Sequence, residues 1–127
     1  MIVDTSAIIA ILLGEPESDR LTRALDADPV RWMSAATRVE VGIVAMVKRA
    51  GGEHDVERLL QEAAIEIVAV TSEHAKIALD AYARFGKGRH AAGLNFGDCF
   101  SYALAHATGQ PLLFVGEDFA RTDVRVA

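Results

Sequence analysis

Two kinds of apolar pattern alternate along the chain: short unbroken apolar blocks, and longer stretches whose apolar residues recur at helical spacing. Met1-Ile2-Val3 is a block of the first kind. It ends at Asp4-Thr5-Ser6, three residues suited to cap a helix, so the pattern predicts a strand, a turn and a helix over residues 7–13. Gly14-Glu15-Pro16 stops that helix, and an amphipathic one over 17–25 follows. Asp28-Pro29 marks a turn before a strand at Val30-Arg31-Trp32-Met33-Ser34. A long helix then opens at Ser34-Ala35-Ala36-Thr37, reaches residue 50 and ends at Gly51-Gly52. Its Val39, Ile43, Met46 and Val47 fit a 3.6-residue period. Residues 55–64 form a further helix, Ile65-Glu66-Ile67-Val68-Ala69-Val70 a strand, and 72–85 a helix capped by Thr71 or Ser72.

Residues 86–97 are a loop rich in glycine and basic side chains. A helix over 98–108 is closed by Gly109, and Pro111 bars its continuation. Leu112-Leu113-Phe114-Val115 is a buried strand, from which Gly116-Glu117-Asp118-Phe119 turns away. Alternating strands and helices predict an α/β domain with a central parallel sheet and helices on both faces. No repeat, low-complexity segment or linker divides residues 1–127, so a single domain is expected.

Composition narrows the class. Of 127 residues, 51% are apolar, which excludes disorder and hints at surface hidden by a partner. No apolar run approaches the roughly 20 residues that span a bilayer, and Met1-Ile2-Val3-Asp4 does not begin a signal peptide. Cys99 is the sole cysteine, so no internal disulfide forms, and a cytoplasmic location is expected. The net charge of -5 argues at first against a nucleic-acid partner. Divalent cations bound among clustered acids would offset most of it, and 13 Lys and Arg could then dominate a substrate surface.

The acids carry the candidate chemistry. Ligands of open α/β sheets bind beyond the carboxyl ends of the strands, and Asp4 and Asp118 each stand just after an apolar strand. Asp98 lies in the first turn of its helix, where the macrodipole favours a carboxylate. Glu40 sits among Val39, Val41, Ile43 and Val44, where a carboxylate is costly without compensation. Four converging acids repel unless a counter-charge joins them, and an oxygen-rich site suits Mg²⁺, with Mn²⁺ as a substitute. Thr5 and Ser6 can support the Asp4 turn, a water or a ligand. Each acid also has a plainer reading: Asp4 and Asp98 as helix caps, Asp118 as a turn residue, Glu40 on a solvated helix face.

Taken together these segments resemble a known family. Met1-Ile2-Val3-Asp4-Thr5-Ser6-Ala7 and Thr37-Arg38-Val39-Glu40 look like the opening of PIN-domain ribonucleases of the VapC toxin type. Phe85-Gly86-Lys87-Gly88-Arg89-His90, followed by Leu94-Asn95-Phe96-Gly97-Asp98-Cys99-Phe100-Ser101-Tyr102-Ala103-Leu104-Ala105, resembles their central motif. Leu112-Leu113-Phe114-Val115-Gly116-Glu117-Asp118-Phe119 with Thr122-Asp123 resembles their last strand and acidic turn. The resemblance covers essentially the whole chain. It implies a PIN fold, Mg²⁺-dependent endoribonuclease activity, a homodimer and a cognate VapB-type antitoxin. It also implies that Asp4, Glu40, Asp98 and Asp118 are the catalytic, metal-binding acids, with Asp4 and Asp98 the foremost ligands. The family often has Asn before its last acid, where this chain has Glu117, which could share the role of Asp118.

Arg84, Lys87, Arg89 and His90, spaced by Gly86 and Gly88, could grip RNA phosphates just ahead of Asp98. Cys99 has no histidine at a spacing that would make it a nucleophile and is read as packing. Trp32 is read as core or a dimer contact. A phosphotransfer receiver is excluded because Asp55 follows no strand. A haloacid-type phosphatase is excluded because Asp4-Thr5-Ser6 lacks its second Asp. The remaining alternative is a PIN scaffold that binds RNA or a partner without cutting.

Overall fold

The computed structural model describes every residue but 49. Strands β1 (Ile2–Val3), β2 (Trp32–Ser34), β3 (Glu66–Val68) and β4 (Leu112–Leu113) form one sheet in the order β3-β2-β1-β4. All three pairings are parallel, with Ile2 opposite Trp32 and Leu112, and Met33 opposite Ile67. Helices α1 (Thr5–Leu13), α2 (Ser18–Ala27), α3 (Ala35–Lys48), α4 (Glu53–Glu62), α5 (Ser72–Phe85) and α6 (Asp98–Thr108) cover it, with a 3₁₀ turn at Phe119–Arg121. This is the α/β architecture that the alternation predicts.

The pleat divides the core in two. Val3 and Leu113 point into one cluster with Met33 and the buried faces of α1 to α4, around Ile8, Leu21, Val41 and Val56. Ile2 and Leu112, their neighbours in sequence, point the other way into a cluster with α5 and α6, around Ala81, Leu94, Tyr102 and Leu104. Helices therefore pack on both faces, and strand ends converge where β1 gives way to α1.

The strands are shorter than the apolar blocks. β1 has two residues because Asp4 already caps α1, so β4 can pair over only two, and Phe114 and Val115 run on past the ladder. The Val115 N–H donates to Ser6 Oγ instead, at 3.0 Å. On the far side, the Leu112 N–H donates to the Arg125 carbonyl, so the tail closes that edge. Residues 86–97 are tied at both ends, since Lys87 N–H donates to Leu94 O and Leu94 N–H to Phe85 O.

Helix α3 turns its apolar stripe outward. Val39, Ile43, Met46 and Val47 are all exposed, and the core side of α3 is made of Thr37, Val41 and Ala45. The 3.6-residue period is present, but the smaller residues on the opposite face are the ones that pack. The expected extension of this helix to residue 50 crosses residue 49, which lies outside the described residues.

Candidate active site

Asp4 leaves β1 in extended backbone and caps α1 with its side chain. It is 2% exposed, and its carboxylate is held from both sides. Oδ2 accepts from Ser6 N at 2.9 Å and Ser6 Oγ at 2.7 Å, and Oδ1 accepts from Ser101 Oγ at 2.6 Å. Thr5, next along, donates its hydroxyl to Glu40 Oε2 at 2.6 Å. Glu40 is thus half-buried and anchored, not a solvated helix acid. Burial raises its pKa, the Thr5 hydrogen bond opposes that, and the Asp4 charge adds to the rise. Its carboxylate lies against the backbone of Gly97, where a Cβ would overlap it.

Asp98 opens α6, and Asn95 holds it through a reciprocal pair. Asn95 N–H donates to Asp98 Oδ2 at 2.8 Å, and Asp98 N–H to Asn95 Oδ1 at 2.9 Å. Burial pushes the Asp98 carboxyl up to about 7 against that hydrogen bond, and the charges of Asp4, Glu40 and Asp118 reinforce the rise. Asp4, Thr5, Ser6, Glu40 and Asp98 all line one open cleft of about 410 Å³. Asp118 does not line it. This residue is exposed ahead of the 3₁₀ turn and acts on Asp98 only through charge.

Residues not singled out from the sequence complete the cleft. Asn95, Lys48 and Glu15 stand on its wall, and buried Ser101 and Thr37 lie behind Asp4. Spacing contained a signal for two of them. Ser101 is three residues after Asp98 and Thr37 three before Glu40, so each shares a helix face with an acid.

The basic loop residues do not line the cleft. Arg84 donates to Asp123 at 3.0 Å and to Asp80 at 3.4 Å, with its guanidinium 4.7 Å over the Phe85 ring. That guanidinium ties α5 to the chain's tail and is not a free phosphate grip. His90 Nδ1 accepts from Ala92 N–H, and its ring meets the edge of Phe85. Arg89 is exposed, and Lys87 shares an apolar groove with Asn95, which also lines the cleft. Cys99 is buried, its Sγ donates to Asn95 O, and burial raises its thiol to about 11, so it packs as expected.

Oxygen donors alone, with no thiolate or imidazole, would suit a hard divalent cation. The carboxyl of Asp98, pressed toward its neutral form by burial and like charge, is a group whose ionisation such a cation would favour. The residues fit the ion in kind. Among the described residues, however, no three His, Cys, Asp or Glu side chains stand close enough to hold one as they are. No helix among the described residues is long and apolar enough to cross a membrane.

Comparison with known proteins agrees in family and in fold. The PIN domain family matches residues 1–125. Ribonuclease VapC of Mycolicibacterium smegmatis is 52% identical over 126 residues, which cover 98% of this chain and 97% of that protein. Ribonuclease VapC30 of Mycobacterium tuberculosis is 48% identical, with coverage of 98% and 95%. Among solved structures, VapC20 of Mycobacterium tuberculosis, described as a sarcin-ricin loop cleaving toxin, superposes with a TM-score of 0.78 at 17% identity. It covers 99% of this chain and 97% of that one.

Proposed function

The chain belongs to the PIN-domain family, in its VapC branch, and on that premise we propose that it is an endoribonuclease and the toxin of a toxin–antitoxin pair. The observation that carries the reading is the cleft in which Asp4, Glu40 and Asp98 meet, with the Asp98 carboxyl pushed up to about 7. Acids are brought together against their mutual repulsion at few places other than sites for a cation or a proton.

Asp4, Asp98 and Glu40 would hold Mg²⁺ or Mn²⁺, with Asp118 approaching from its exposed turn. When bound, the cation would supply charge neutralisation at the phosphodiester and an acidified water. The rest falls to the chain. Ser6 and Ser101 orient Asp4, Thr5 orients Glu40, and Asn95 orients Asp98. A proton resident on Asp98 would leave as the ion binds, so affinity should fall as pH drops below about 7. Lys48 at the cleft wall, with Lys87 and Arg89 on the neighbouring loop, offers positive charge to the RNA backbone.

The partners in this reading are a cognate VapB-type antitoxin and a second copy of the chain. Its exposed α3 stripe and the apolar groove between α5 and Phe96 are surfaces such partners would cover. RNA incubated with the purified chain should be cut at internal positions when Mg²⁺ or Mn²⁺ is present, and EDTA should stop cutting. Equal cleavage in EDTA, with contaminating nucleases excluded, rejects the metal mechanism. No cleavage under either condition leaves the non-cutting scaffold.

A further inference from the structure

Behind the acids lies an ordered run of hydroxyls. Ser101 is fully buried on α6, and Thr37, almost as buried on α3, stands 3.1 Å from its Oγ. A serine hydroxyl has one proton to donate. The Asp4 carboxylate 2.6 Å away can only accept when ionised, so Ser101 gives its proton there and Thr37 must donate to Ser101. The run therefore has one direction, from Thr37 through Ser101 to Asp4.

A carboxylate offers about four acceptor sites, two on each oxygen. Both sites on Asp4 Oδ2 are taken by Ser6, whose own hydroxyl is pinned by the Val115 N–H. One site on Oδ1 is taken by Ser101, and one remains. Capping of α1 is already done by the Ser6 N–H contact, and alanine at 101 would suit α6 at least as well as serine. What is left for Ser101 to control is the direction in which Oδ1 points.

We propose that Ser101, held by Thr37, is a positioning residue that makes Asp4 present a single acceptor site, on Oδ1, to a divalent cation in the cleft. The cation in this statement rests on the function proposed above; the orientation of Asp4 does not. Partners of this kind, one step behind a ligand, typically change metal affinity by 10–100-fold when removed.

Metal-free crystal structures of Ser101→Ala and Thr37→Val read the orientation, and calorimetric titration with Mn²⁺ alone reads the site. In Ser101→Ala the Asp4 carboxylate should turn or divide between two conformers over an unmoved backbone. Its Mn²⁺ affinity should fall about 10-fold. Thr37→Val should show a smaller loss, Thr37→Ser should restore the wild-type value, and the double variant should be no worse than Ser101→Ala. An unmoved Asp4, or a moved one with wild-type Mn²⁺ affinity, overturns the proposal. Should Ser101→Ala fail to fold, Thr37→Val decides by the same two measurements. A wild type that binds no Mn²⁺ removes the cation, while the metal-free structures still decide whether Ser101 positions Asp4.

Discussion

At Asp98, burial and three neighbouring carboxylates oppose ionisation, and the carboxyl keeps its proton up to about pH 7. In the unfolded chain it ionises near the ordinary value of 3.8. A folded-state pKa above the unfolded one means that its contribution to stability is fully present below about pH 4. That contribution is lost as pH rises through about 7. Metal-free wild type should therefore melt at falling temperature across that window, and Asp98→Asn should flatten the slope. At pH 7.5 in chelator the variant should melt as high as wild type or a few degrees higher. Saturating Mg²⁺, at about 100 times its dissociation constant, should add roughly 2.7 kcal/mol to wild type and little to the variant. A variant that melts early in chelator and gains the full Mg²⁺ increment makes Asp98 a cap. Gly97→Ala separates function from folding differently, because the atoms nearest its Cβ would be those of the Glu40 carboxylate, at the far end of that side chain. Stability should change by less than about 1 kcal/mol, while cleavage falls at least about ten-fold as Glu40 is displaced; unchanged cleavage would mean Glu40's position is immaterial. The grouping of Asp4, Glu40 and Asp98 could be read from residue type and place. Asp118's distance from the cleft wall could not, because a turn's direction depends on how the 3₁₀ residues pack, with Phe119 buried and Asp118 left outside.

At the scale of elements, α3 shows both the power and the blindness of periodicity. A repeat at 3.6 residues identifies a helix but does not say which of two apolar faces meets the core. Here Thr37, Val41 and Ala45 form the buried face of the helix, and the bulkier Ile43, Met46 and Val47 are left to solvent, Val47 at 77% exposure. Such a stripe costs the isolated domain nothing in packing if altered, so Ile43→Glu with Val47→Lys should leave the melting temperature within about 3 °C of wild type. Binding of the proposed antitoxin, or of the proposed second copy, should weaken by at least about ten-fold, read by co-purification and by sedimentation. Both associations at full strength would show that neither partner uses this face. The strands are shorter than their apolar blocks for a related reason. Apolar blocks continue past Val68 and Leu113, but a ladder is only as long as the shorter partner: β2 ends at Ser34, where α3 begins, and β1 is cut to two residues by the Asp4 cap.

Over the whole molecule, the α/β class and the helices on both faces follow from alternation alone, as does the placement of acids beyond the strand ends. Strand order does not, since a block such as Leu112-Leu113 is equally apolar beside any neighbour; its place next to β1 emerges only from the packing of α5 and α6 on one side. The same parallel pairing brings Ser101 onto Asp4 across 97 residues of sequence. Loop closures of that span form late and slowly compared with local contacts. During synthesis, the turn that bears Asp4 leaves the ribosome long before α6 exists to complete it. A growing chain thus carries only the first fragment of the cleft lined by Asp4, Glu40 and Asp98, and the cleft is complete only once α6 has been made and packed.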